Sequence, residues 1–170
     1  MEFELKLLWV SLLVYVLAGV VAIVALVLGK RPERTVLGLL VAGLLLHGLS
    51  IGLRWDRLGH GPYVTMFEIL SSNVWSLLFV FSIAYWRYRP IRPIAAFVMP
   101  IMFVMMGWLM MTFPGEGHLP PTYKTIWLFV HIGLGKIFLG SMLVSVGLSV
   151  VILLRAAGIL VDRLAVMPAD

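Results

Sequence analysis

The chain has 170 residues, of which 62% are hydrophobic and 12% charged, with a mean hydropathy of +1.06 and no cysteine. A soluble globular domain carries about a quarter charged residues, and here the charges sit in short clusters between long apolar runs, so the composition specifies an all-α integral membrane protein. The net charge of +5 and pI near 9.9 do not make it a nucleic-acid binder, because basic residues beside membrane spans serve orientation and lipid contact.

Taken in chain order, five runs are long enough to cross a bilayer as helices: Leu8 to Gly29, Thr35 to Leu53, Tyr63 to Trp86, Ile94 to Phe113 and Ile126 to Leu154. Lys30-Arg31-Pro32, Arg54 to Pro62, Arg87 to Pro93 and Pro114 to Pro121 break them apart. The whole chain, 1–170, reads as one transmembrane helical domain without a linker or repeat. The first run is too long for a signal peptide and follows Glu2 and Glu4 rather than a basic flank, so it is expected to be a retained span.

Lys30, Arg31, Arg34, Arg87, Arg89, Arg92, Arg155 and Arg163 fall in connections on one side, against Lys6, Arg54, Arg57 and Lys124 on the other. Translocated loops are poor in lysine and arginine, so the amino terminus is expected outside and the carboxyl terminus in the cytoplasm. His60 and His118 then lie in outer loops, with His47 and His131 inside helices. Helical rise places the latter two at matched depths of about 9 and about 10 Å. Intramembrane ionisable side chains mark function more often than packing.

Zinc would ask for more ligands than two histidines and a lone buried acid, Glu68, provide. Haem iron needs one or two axial imidazoles from facing helices, basic groups for its propionates and apolar walls. His47 and His131 are therefore the candidate iron ligands, with haem b as the expected cofactor. Arg54 shares a helix face with His47, about 10 Å further out, and with Arg57 is a candidate propionate partner. An interfacial pair with Asp56 explains both arginines equally well.

In the third run, Glu68, Ser71, Ser72 and Trp75 form a polar stripe that must face protein or a cavity. Glu68 lies near the outer surface, where a solvated carboxylate and a proton acceptor beside a haem or quinol pocket both fit. The fourth run carries Met99, Met102, Met105, Met106, Met110 and Met111 around Pro100, a pattern expected of adaptable packing. Trp9, Trp55, Trp86 and Trp127 take aromatic-belt positions. In the fifth run, Lys136 is costly in lipid unless paired, and shares a face with Gly133, Gly140 and Gly147. That face is expected to meet another transmembrane helix or a cofactor.

His47 to Trp55, then Gly61-Pro62-Tyr63-Val64-Thr65-Met66-Phe67-Glu68, and Trp127-Leu128-Phe129-Val130-His131 after Pro120-Pro121, resemble segments of the haem-handling cytochrome c biogenesis membrane proteins of the CcsA, ResC and CcmC type. The resemblance implies haem held near the outer surface and delivered to apocytochrome c, with His131 in the place of the family's first outward histidine. It covers the front half only, because the tryptophan-rich outer segment and a later histidine are not present.

Two functions remain open at this level. A haem-handling assembly factor would depend on a tryptophan-rich, CcsA-like partner. A respiratory electron-transfer subunit would hold haem b, or bind quinol such as menaquinol, and serve a multihaem c-type cytochrome. A cofactor-free membrane anchor is a third reading, and a bacterial cytoplasmic (inner) membrane is the expected location.

Overall fold

In a computed structural model that describes residues 2–118 and 125–159, five long α-helices carry the chain: α1 (Glu2–Leu28), α2 (Glu33–Leu58), α3 (Met66–Arg87), α4 (Ala95–Met111) and α5 (Ile126–Ala156). α1, α2, α3 and α5, and α4 together with the segment before it as Arg89–Met111, are long and apolar enough to cross a membrane, and no strand occurs among the described residues. The Arg87 to Pro93 break is a 3₁₀ segment, Arg89–Ile94, because Pro90 and Pro93 remove the amide donors an α-helix would need there.

α1 and α2 outrun the apolar runs at their polar ends, and α3 starts inside its run. α1 starts at Glu2 rather than Leu8, with Glu2 and Glu4 in the first turn, where carboxylates suit the helix dipole. α2 continues past Leu53 to Leu58, because Arg54 and Arg57 bond to protein instead of turning into water. It stops at Gly59, whose φ of +70° lets its amide bond back to Trp55 at 2.9 Å. α3 starts at Met66 rather than Tyr63, where Thr65 and Glu68 form a reciprocal capping box.

α1 packs most extensively on α2 and also on α4, while α3 packs against α2, α4 and α5. The shared core holds Tyr15, Leu40, Leu78 and Phe81 with Met99, Met102 and Met106, so three of the α4 methionines are packing, as expected of an unbranched thioether. Trp9, Trp55, Trp86 and Trp127 are exposed near helix ends. Close approach of α1 and α2 depends on Gly43, since a Cβ there would stand 2.4 Å from the Tyr15 ring. α5 is the most peripheral helix, burying Gly140, Leu143, Gly147 and Val151.

The α5 glycine face finds its partner within the chain. A Cβ on Gly140 would lie 2.6 Å from Val80 on α3, and one on Gly147 would lie 2.8 Å from Val98 on α4, whereas Gly133 faces open space. Lys136 reaches α3 as well, donating to Ser72 Oγ and Asn73 Oδ1, both at 2.8 Å.

Candidate functional site

The ends of α1, α2 and α3 that lie beside the amino terminus enclose a network of ionised side chains. Arg54 is at its centre. Its Nε and Nη2 both donate to Glu68 Oε1 at 3.1 Å, its Nη1 to Glu4 Oε1 at 3.4 Å, and Nη2 also to the Gly115 carbonyl. The Phe67 ring lies beneath the guanidinium, 5.1 Å away.

Glu68 is 1% exposed, and four donors fill its carboxylate. Oε1 takes the two bonds from Arg54; Oε2 accepts the backbone amides of Val64 at 3.1 Å and Thr65 at 3.3 Å. That placement corrects the solvated alternative. It also leaves no free lone pair for a proton acceptor beside a quinol. Glu4, buried as well, takes Arg57 Nε at 3.2 Å and Nη2 at 2.7 Å. The other end of Arg57 binds Glu116, and this hydrogen bond, with the arginine's charge, holds the Glu116 carboxyl below the ordinary carboxylate range.

His60 locks the two loops of this end together. Its Nδ1 faces the Gly61 carbonyl at 3.0 Å and its Nε2 the Gly117 carbonyl at 2.9 Å, with Glu68 Oε2 at 3.9 Å. Carbonyl oxygens only accept, so a ring nitrogen that carries hydrogen donates to the carbonyl it faces. Three carboxylates (Glu4, Glu68, Glu116) thus share the two guanidinium groups of Arg54 and Arg57. Next to them, Arg57, His60, Glu116 and His118 line a polar cavity of about 320 Å³.

Arg54 and Arg57 therefore spend their donors on carboxylates and a carbonyl of this chain. Of the two equal alternatives for them, the pair with Asp56 does not describe their bonding, which goes to Glu4, Glu68, Glu116 and Gly115. Glu4 and Glu116 escaped sequence reasoning. The readable signal was an acid placed at the start of an apolar helix, at the same end as two arginines of another helix.

His47 lies deeper and is fully buried. Its Nε2 is 3.0 Å from Ser71 Oγ, Tyr15 tilts over the ring at 6.0 Å between centroids, and both His47 Nδ1 and the Tyr15 hydroxyl lack a hydrogen-bond partner among the described residues. The polar stripe of α3 faces inward as expected. Glu68, Ser71 and Ser72 are buried, and the Trp75 indole donates to the Leu44 carbonyl at 2.9 Å.

His131 is exposed on α5 and makes no hydrogen bond among the described residues. Phe129 aims at α2, stacked on Trp55 at 6.3 Å, with Tyr63 edge-on at 5.6 Å. Two residues further along a helix is a rotation of about 200°, so His131 points away from α2. The structure thus brings Arg54, Arg57 and Glu68 together, sets His47 beneath them, joins Lys136 to Ser72, and does not bring His131 to His47. Trp127, Val130, Leu134 and Phe138, all exposed, share the His131 side of α5. Among the described residues no group of three or more His, Asp or Glu side chains is arranged to hold a metal ion.

No family model matches this chain, and no solved structure matches it. The chain is similar to the cytochrome c biogenesis protein CcsA of Prochlorococcus marinus, 25% identical over 134 residues. The match covers 76% of this chain and 42% of that relative, so the chain spans less than half the relative's length.

Proposed function

We propose that this chain is a haem-handling membrane component of cytochrome c biogenesis, presenting haem b at the outer half of α5 through one axial ligand, His131. The carrying observation is an exposed imidazole without a hydrogen-bond partner among the described residues, set in an apolar stripe of Trp127, Val130, Leu134 and Phe138. An imidazole nitrogen suits haem iron, and aliphatic and aromatic neighbours suit the macrocycle's faces. Similarity to CcsA supports the same reading. When bound, haem supplies an iron centre that a cytochrome can receive; the chain's own residues supply the ligand, the apolar wall and a rigid platform.

The rigid platform is the polar network. By fixing the outer ends of α1, α2 and α3 and stacking Trp55 on Phe129, it holds the first turn of α5 at a defined angle. The Lys136 ammonium, bonded to Ser72 and Asn73, fixes α5 about two turns further in. Arg54, Arg57 and Glu68 act in positioning here, and His47 is a core residue against Ser71. An electron-transfer subunit with haem b between α2 and α5, or a quinol beside Glu68, draws less support. His47 is sealed in, and Glu68 is saturated with donors.

The exposed face of α5 is the proposed seat of a partner, a tryptophan-rich, CcsA-like membrane protein, with a multihaem c-type cytochrome as the alternative, in the bacterial cytoplasmic membrane. The test is a reduced-minus-oxidised spectrum of the protein purified with its native partners. His131→Ala should lose the haem bands, while His47→Ala and His60→Ala that remain folded keep them. Haem retained in His131→Ala, or lost only in His47→Ala, would overturn the proposal.

A further inference from the structure

At the end of the bundle opposite the ion-pair network, the α1–α2 connection and the 3₁₀ segment close around a cavity of about 110 Å³, lined by Lys30, Arg31, Glu33, Tyr85, Arg89 and Arg92. Four cations face one carboxylate. Arg92 is committed: Nη1 pairs with Glu33, Nε donates to the Tyr85 carbonyl at 3.1 Å, and its guanidinium lies 5.6 Å from the Tyr85 ring centroid. Lys30, Arg31 and Arg89 make no ion pair among the described residues and so leave three uncompensated positive charges at the cavity. Its volume has room for several water molecules, and therefore for a phosphate group.

The geometry points to a binding site for the phosphodiester headgroup of an anionic phospholipid of the phosphatidylglycerol type, independent of the haem reading. Lys30, Arg31 and Arg89 would take the phosphate, with Arg92 holding the rim in place. The surroundings favour a lipid over free phosphate. Trp86 and Tyr88 are exposed at this same end, at the level expected of a headgroup layer, and the last turns of α1 hold Val24, Val27 and Leu28 outward, where acyl chains would run. Basic cavities between transmembrane helices are suited to acidic headgroups, because the charge is met in a shaped, partly desolvated place.

The test is native mass spectrometry of the full chain in detergent, titrated with palmitoyl-oleoyl phosphatidylglycerol or phosphatidylcholine. Phosphatidylglycerol should be retained in preference to phosphatidylcholine, and the Lys30→Gln/Arg89→Gln variant should weaken its binding by about tenfold or more. Arg34→Gln/Arg87→Gln removes the same charge from the same end outside the cavity and should change binding by less than about twofold. Lys30→Arg/Arg89→Lys, which keeps the charge, should retain binding, and so separates a lost site from a misfolded variant. Equal retention of the two lipids, an equal loss in the Arg34/Arg87 control, or displacement of phosphatidylglycerol by an equal concentration of inorganic phosphate would overturn the proposal.

Discussion

A guanidinium buried among two carboxylates, as Arg54 is, contributes little by its mere presence, since desolvation offsets much of the Coulomb attraction. Its removal is another matter, because Glu68 and Glu4 would keep their charges in a place where water cannot replace the lost donors. Arg54→Met is therefore expected to destabilise the folded chain by about 3–5 kcal/mol. Adding Glu68→Gln should restore part of that loss: glutamine keeps an oxygen for the Val64 and Thr65 amides and carries no charge. Unfolding of the detergent-solubilised variants, followed by circular dichroism, gives the comparison. A double variant no more stable than Arg54→Met alone would mean that the charge is not what makes Arg54 necessary.

Among the helices, α5 shows how far spacing along a sequence reaches. The recurrence of Gly133, Lys136, Gly140 and Gly147 marks a face made for close approach, and three of those positions do meet other helices. Spacing cannot say which helix, because periodicity encodes a direction around one axis and nothing about its neighbours. The neighbours are the chain's own α3 and α4. The polar stripe of α3 was legible for the same reason, whereas the partners of Arg54 were not: Glu4 lies on another helix, 50 residues away in sequence. A contrast inside α5 follows. Gly140→Leu should cost about 1–3 kcal/mol, because its Cβ meets the Val80 Cβ, an atom fixed to the backbone, and α5 must shift away from α3. Gly133→Leu, with open space at its Cβ, should melt like the parent. Equal melting of both variants would show that α5 does not rest on α3 at Gly140.

Across the whole molecule, the two ends differ in the kind of charge they carry. The end with the amino terminus pairs Arg54 and Arg57 with Glu4, Glu68 and Glu116, and the end with Lys30 and Arg89 leaves cations unpaired among the described residues. Translocated segments are poor in lysine and arginine, and the end with Lys30 and Arg89 carries more of both, so the expected orientation has the amino terminus outside. Because the chain has no cysteine, single cysteines can report it. The site must be chosen from the structure: at Gly61 and Gly117 a Cβ would stand 2.2 Å from Tyr63 and 2.6 Å from Val64, but His118 and Arg34 are exposed at opposite ends. In intact cells, His118→Cys should react with a membrane-impermeant maleimide and Arg34→Cys should react only after lysis. The reverse pattern would place His131 in the cytoplasmic half of the bilayer, and α5 would then present its ligand to the wrong compartment for a cytochrome assembled outside.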